Sequence, residues 1–176
     1  MAPKRIVILR HGEKPGAPDA PDDPSSPDLS PPGVQRAQLL ATLIPTKFGD
    51  PAFIFAAASS PNSRRPVETV QPLATALGFG PDKFITTYPN GNYAGLASTL
   101  LNEAQFADKL LIVCWHHGNI PNLGSALRLT QGQMATAPEI INKHGELKWN
   151  PSVFDRFWIL DCQPGPGVQF QSTVQS

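Results

Sequence analysis

Ile6-Val7-Ile8-Leu9-Arg10-His11-Gly12-Glu13-Lys14 is the stretch that decides the fold. Four apolar, largely β-branched residues end abruptly in Arg, His and Gly. That pattern predicts a buried strand over Arg5–Leu9 that delivers a cationic pair to its carboxyl end, with Gly12 letting the backbone turn. In open α/β sheets, ligands bind just beyond the carboxyl ends of strands. The question for the remaining sequence is whether it sends matching residues to the same edge.

Two further apolar runs do so. Ala52–Ala58 predicts a second strand and is followed by Ser63-Arg64-Arg65. Leu110–Trp115 predicts a third and is followed by His116-His117-Gly118-Asn119. Helical patterns lie between them. Ser30 is a natural N-cap for a helix carrying Val34, Ala37, Leu40, Ala41 and Ile44, which Pro45 is expected to end. A helix opening near Pro66 buries Val67, Val70, Ala74 and Leu77, with Pro72 expected to kink or divide it and Gly78 to cap it. Phe84–Thr87 reads as a short strand, Tyr93–Glu103 and Pro121–Leu129 as helices, and Phe154–Leu160 as a last strand. Met134–Trp149 shows no clear pattern. Strands alternating with helices imply a three-layer α/β sandwich with a mostly parallel central sheet.

With 176 residues the chain is expected to form a single domain, residues 1–176. A proline-rich loop over 15–32 and an irregular tail over 162–176 are expected within it; many of the 20 prolines fall in that loop, which excludes helix and central strand. The 14 basic and 14 acidic residues balance, which argues against a nucleic-acid surface or a polybasic membrane contact. No apolar run approaches a membrane span and no leader-like segment precedes the first strand, so a cytoplasmic location is expected. Of the two cysteines, Cys114 reads as a small buried hydrophobe, and neither forms part of a disulfide or zinc pattern. The four histidines lack metal-ligand spacing, so no metal and no cofactor are expected.

If the three strands are parallel neighbours, Arg10-His11, Arg64-Arg65 and His116-His117 share one edge. Two guanidiniums and two imidazoles around one point suit a tetrahedral dianion, since Arg offers planar, bidentate donors to phosphate oxygens. A neutral imidazole there can also attack phosphorus, giving a phosphohistidine that water hydrolyses. The surrounding cations would stabilise the transition state and keep the imidazole neutral.

Four stretches in order carry a family resemblance: Arg10-His11-Gly12-Glu13-Lys14; Leu29-Ser30 through Gly33, Arg36 and Ala37; Ser63-Arg64-Arg65-Pro66-Val67-Glu68-Thr69; and Trp115-His116-His117-Gly118-Asn119-Ile120-Pro121. Together they resemble the landmarks of the histidine phosphatase superfamily, the phosphoglycerate-mutase-like proteins with an Arg-His-Gly signature, over about residues 5 to 160. The resemblance implies that His11 is the nucleophile, Arg10 a phosphate ligand and His117 the second pocket histidine. His117 is preferred to His116 because Gly follows it and because successive strand residues point opposite ways. Arg65 is favoured as the second phosphate arginine, with Arg64 the alternative.

One departure concerns the proton donor. The acidic residue that many members carry between the second arginine and the second histidine has no counterpart from Lys83 to Asn102, and Gly118 stands where others have Asp. Glu13 is the first candidate for that role and Glu68 another. The compact phosphohistidine phosphatases also lack a dedicated acid. The reading is therefore a metal-independent phosphatase of the compact branch, acting on a phosphomonoester or phosphoramidate, with mutase activity disfavoured. The expected partner is a phosphorylated small molecule or phosphoprotein, with no nucleic acid and no membrane. The alternatives are an inactive relative that binds phosphorylated ligands and a partner-binding module using the proline-rich loop.

Overall fold

The apolar run that opens the chain becomes β1 (Arg5–Arg10), buried at every position after Arg5. In the computed structural model, which describes residues 2–17, 25–162 and 167–176, it is followed by α1 (Pro31–Phe48), β2 (Phe53–Ala56), α2 (Arg65–Ala76), β3 (Phe84–Ile85) and α3 (Tyr93–Asn102). Then come β4 (Leu110–Trp115), α4 (Ile120–Ala126), α5 (Gln131–Met134), β5 (Ile140–Lys143), β6 (Glu146–Trp149), β7 (Arg156–Asp161) and β8 (Gln169–Val174).

Six strands form one sheet in the order β3-β2-β4-β1-β7-β8. β3, β2, β4 and β1 run parallel to one another, and β7 and β8 are antiparallel additions. Register does the positioning. Arg10 lies opposite Trp115 and Ala56 opposite Cys114, so β1, β2 and β4 end together. β7 runs the other way, with Phe157 opposite Leu9, so the turn that precedes β7 arrives at the same edge.

The strand alternation splits the core into two layers. Val7, Leu9, Ile54 and Ile112 pack on Leu40 and Ile44 of α1 and Val70 and Leu73 of α2. Ile6, Ile8, Phe55 and Val113 face the other way, onto Leu96 and Leu100 of α3 and Ile120 and Leu123 of α4. The three-layer α/β sandwich with a mostly parallel sheet is thus the architecture of the chain.

Several local expectations are corrected. Pro45 does not end α1, which runs on to Phe48; it sits in the last turn, and its carbonyl still accepts from the Gly49 N–H at 2.9 Å. Pro72 does not divide α2, whose Val70, Leu73 and Ala74 are locked in the core. The last predicted strand starts at Arg156, which leaves Phe154 in the turn before it. The tail over 162–176 is not irregular throughout: Gln169–Val174 pairs with β7 as an edge strand. Its polar, half-exposed residues hide the strand pattern, and Phe170 makes its ring contact with Trp158 at 5.1 Å. The unpatterned Met134–Trp149 contains the two-stranded hairpin β5–β6, turned by His144 (φ 55°) and Gly145 (φ 83°). Residues 18–24 of the proline-rich loop and 163–166 of the tail fall outside the described residues.

Candidate functional site

Just past the end of β1, His11 is 2% exposed. Its Nδ1–H donates to the Gly12 carbonyl at 2.7 Å, which leaves Nε2 with the free lone pair. Burial pushes the imidazole well below its usual pKa, and the neighbouring Arg10, His116 and Arg65 push in the same direction. His11 is therefore a neutral imidazole with an available nitrogen.

Arg10 is fully buried. One terminal nitrogen, Nη1, donates to the carbonyls of Pro151 (2.7 Å) and Val153 (2.9 Å), and the guanidinium carbon lies 3.6 Å from the centre of the Phe154 ring. Burial lowers its pKa to about 9, with Glu13 acting upward and Arg65 downward, so it stays cationic at neutral pH. Its Nε and Nη2 are buried and have no partner among the described residues.

The two arginines at the start of α2 separate clearly. Arg64 is exposed and ties both its Nε and Nη2 to Asp28 at 2.6 Å. Arg65 turns inward. Its Nη1 donates to the Ser26 carbonyl at 3.0 Å, its Nε is buried and unpartnered among the described residues, and its charge is felt by Arg10, His11 and His116.

Both residues of the His116-His117 pair reach the site. β4 ends at Trp115, so the pair lies in the turn beyond it and strand alternation does not separate the two rings. His116 stands edge-on to His11 with ring centres 5.2 Å apart. His117 faces the adjoining cavity, and its Nδ1 is buried without a partner among the described residues. Burial holds both near a pKa of about 4, helped for His116 by Arg65 and Arg10 and for His117 by Arg10 and Lys14.

The structure engages the two candidate acids to different degrees. Glu13 is bound by Arg36, whose Nε donates to Oε2 at 2.9 Å. Burial pushes the Glu13 carboxyl up, but the Arg36 hydrogen bonds and charge outweigh this and hold it below the usual range. Glu68 accepts the Leu29 N–H at 2.8 Å; burial raises its pKa.

Two glycines and two hydroxyls hold the nucleophile's loop. The Gly12 N–H donates to Thr69 Oγ1 at 2.9 Å, and that hydroxyl donates to the Arg65 carbonyl at 2.7 Å. The Glu13 carbonyl accepts from both the N–H and the hydroxyl of Ser30, each at 3.0 Å. Gly33 packs so closely on this loop that a β-carbon there would run into the Glu13 carbonyl.

Comparison with solved structures gives this arrangement a context. A protein histidine phosphatase SixA complexed with tungstate superposes with a TM-score of 0.58 at 17% identity, over 97% of both chains. An ecdysone phosphate phosphatase from Bombix mori, also with tungstate, gives 0.59 at 15% identity over 94% of this chain and 92% of that one. A phosphoglycerate mutase from Plasmodium falciparum gives 0.53 at 16% identity over 99% and 92%. The chain shares its fold with these phosphatases and this mutase. No protein-family model matches the sequence, and neither does any curated protein.

On this shared fold, the polar groups gather at the ends of β1 and β4 and the start of α2, the edge that the sequence pattern indicates. Three contributors are missed or misjudged by sequence reasoning. Phe154 and the carbonyls of Pro151 and Val153 come from a turn far along the chain, and Arg10 is what links them to the site. His116 is placed at this edge by the sequence but passed over as a pocket residue, because alternation of side chains holds within a strand and not in the turn after it. Asn90, in the β3–α3 connection, accepts from Trp115 Nε1 (3.1 Å) and Asn119 Nδ2 (3.3 Å) through its carbonyl and so braces the histidine turn. Among the described residues, no group of three or more His, Cys, Asp and Glu is placed to hold a metal ion, and no helix is long and apolar enough to cross a membrane.

Proposed function

We propose that this chain is a phosphatase that transfers a phosphoryl group from a phosphomonoester or phosphoramidate to His11 and then to water. The observation that carries the reading is a set of buried nitrogens at the ends of β1 and β4 and the start of α2: Arg10 Nε and Nη2, Arg65 Nε and His117 Nδ1 have no partner among the described residues. Buried donors left unpaired are costly, and a tetrahedral oxyanion would satisfy all of them together.

In this mechanism His11 Nε2 attacks phosphorus, the N–P bond forms and the bond to the leaving oxygen or nitrogen breaks, the leaving atom taking its proton from solvent. Arg10, Arg65 and His117 hold the equatorial oxygens through the transition state. Water then attacks the phosphohistidine, releases inorganic phosphate and restores the neutral imidazole. Arg36 holds Glu13 as a carboxylate with no proton to give to the leaving atom, which favours phosphoramidates and aryl esters over simple alkyl esters. Glu13 positions the loop through Arg36 in this scheme. The free thiols Cys114 and Cys162 suit a reducing, cytoplasmic setting.

The engagement of Glu13 by Arg36 also favours a second reading, a relative that binds phosphorylated ligands and turns them over slowly or not at all. Hydrolysis of an activated aryl phosphate with a chelator present separates the two. Turnover that disappears in His11→Ala, with phosphohistidine trapped and detected by mass spectrometry without acid, supports the enzyme. Vanadate binding without turnover supports the binding protein, and turnover retained by His11→Ala overturns the mechanism.

A further inference from the structure

Gln175, just beyond β8, is a polar residue only 6% exposed, and its amide is engaged at both ends. Its Oε1 accepts from Arg36 Nη1 at 3.1 Å, and its Nε2 donates to the Arg156 carbonyl at 3.1 Å. Its backbone N–H donates to the Asp155 carbonyl at 2.9 Å. A guanidinium only donates and a carbonyl only accepts, so a single orientation of the amide serves both partners.

Each partner leads to one half of the proposed site. Arg36 grips the Glu13 carboxylate, with Nε donating to Oε2 at 2.9 Å, and Glu13 stands two residues beyond His11. On the other side, Asp155 follows directly on Phe154, whose ring centre lies 3.6 Å from the Arg10 guanidinium, and on Val153, whose carbonyl accepts from Arg10 Nη1 at 2.9 Å. The two halves do not close on each other by packing alone. A cavity of about 310 Å³ is lined by Glu13 and Arg36 from the nucleophile's loop and α1, and by Val153, Phe154 and Asp155 from the turn that clamps Arg10. The bonds from Gln175 to Arg36 and to Asp155 and Arg156 join the two.

Resting on the phosphatase reading, we propose that Gln175 is a positioning residue: acting through Arg36 and Glu13, it holds the nucleophile's loop against the turn that clamps Arg10 and so keeps His11 in line with the phosphate held by Arg10. In-line attack is sensitive to misplacement of the reacting atoms by about 1 Å, so a tie between these two segments bears on the reaction although it touches no substrate. Binding of a tetrahedral anion needs the donors alone. Bonding of His11 Nε2 to the central atom needs donors and nucleophile in register, and that is the property Gln175 controls.

Two anions separate those properties by calorimetry. Inorganic phosphate reports the donors, and vanadate, which takes a histidine nitrogen as a fifth ligand and so mimics the transition state, reports their register with His11. Gln175→Met keeps the length and removes both side-chain bonds. It should weaken vanadate about tenfold, the scale of one hydrogen bond to a charged group, while phosphate affinity stays within about twofold. Gln175→Asn remains polar but is too short to reach both partners, and should show the same selective loss in a protein whose melting temperature confirms folding. In an Arg36→Met background, Gln175→Met should cost less than about twofold more, because the two residues act in series. Equal losses for phosphate and vanadate in both Gln175 variants, unchanged vanadate affinity, or a full further loss in the Arg36→Met background overturns the positioning role. A wild-type protein that binds vanadate no better than phosphate overturns the phosphatase reading, and the positioning role with it.

Discussion

Arg10 lays its guanidinium on the face of Phe154, 3.6 Å from the ring centre, and the carbonyls of Pro151 and Val153 in the same turn fix one of its terminal nitrogens. A cation over an aromatic face, desolvated, is stabilised by about 2 kcal/mol or more. The consequence is directional. With Nη1 committed to the turn, Nε and Nη2 are left aimed elsewhere, and these are the donors the proposed phosphate would use. Phe154 also stands 6.4 Å from the His11 ring, so one aromatic side chain walls both groups.

Replacing Phe154 tests that relationship. Phe154→Leu keeps apolar volume and removes the ring face, and should lower kcat/KM for an aryl phosphate by about tenfold, as the loss of a partly desolvated cation–π contact implies. Phe154→Tyr keeps the face and should stay within a few-fold of wild type. Steady-state kinetics on both variants, with melting temperatures to confirm folding, make the comparison; equal losses in the two would rule out a role for the ring face.

The two histidines beyond β4 make different contributions. His117 carries an unpartnered buried Nδ1 and should donate to the phosphoryl group, so His117→Ala is expected to reduce kcat by about 10²–10³-fold, the scale of losing one transition-state donor. His116 packs edge-on against His11 and is not among the buried groups left without a partner. His116→Phe preserves an edge-on ring and should cost less than about tenfold by the same measure. Single-turnover rates of phosphohistidine formation would show the opposite ranking if His116 were the donor.

Glu13 should behave as a positioning residue. Held as a carboxylate by Arg36, it has no proton to give at neutral pH. Glu13→Gln is expected to keep the basic limb of the kcat profile where it is in wild type and to change kcat for an aryl phosphate by less than about fivefold, well short of the roughly 10²–10⁴-fold that losing a general acid costs. A missing basic limb, with alkyl esters hit harder than aryl esters, would instead make Glu13 the acid.

The fold and site are legible in the sequence wherever the signal is local. β1, β2 and β4 are buried on both faces, so their apolar runs announce them, and the Arg and His residues that follow inherit their position from the strand ends. β8 is a polar edge strand whose pairing with β7 is a tertiary fact, invisible in Gln169–Val174 alone. The hairpin has one local signal, His144-Gly145 between Ile140–Lys143 and Glu146–Trp149, but His is a weak turn residue. Phe154 leaves no signal, because what joins it to Arg10 is the antiparallel register of β7 on β1, with Phe157 opposite Leu9.

Stability should depend on pH through the same histidines. His116 and His117 are held near a pKa of about 4 in the fold against 6.5 when free, with burial the main cause, so between those values the unfolded chain binds more protons than the folded one. Their contribution to stability is therefore complete above about pH 6.5 and falls as the pH drops toward 4. His11, lowered by burial, acts in the same direction. Glu13, held below its usual 4.5, adds its loss only as the pH falls below that value. Thermal melts from about pH 8 down to about pH 4 should show this decline, and His117→Asn should flatten it. A wild-type curve that is level or rises on acidification would contradict the assignment.

Gly33 offers a further test of how the nucleophile's loop is held. It is buried in the first turn of α1, where alanine is favoured over glycine by about 1 kcal/mol on helix propensity alone. Yet a β-carbon at Gly33 would collide with the Glu13 carbonyl, which is backbone and already bound by Ser30. The collision must push the Gly12–Glu13 loop off α1, and His11 with it. Gly33→Ala is expected to destabilise by about 1–3 kcal/mol, the usual cost of overpacking, and to lower kcat as well. Gly118→Ala is the control, since a β-carbon there meets nothing within 4 Å. Denaturant melts and kinetics on the two variants decide the matter: a Gly33→Ala protein as stable and active as Gly118→Ala would show that the loop does not depend on this contact.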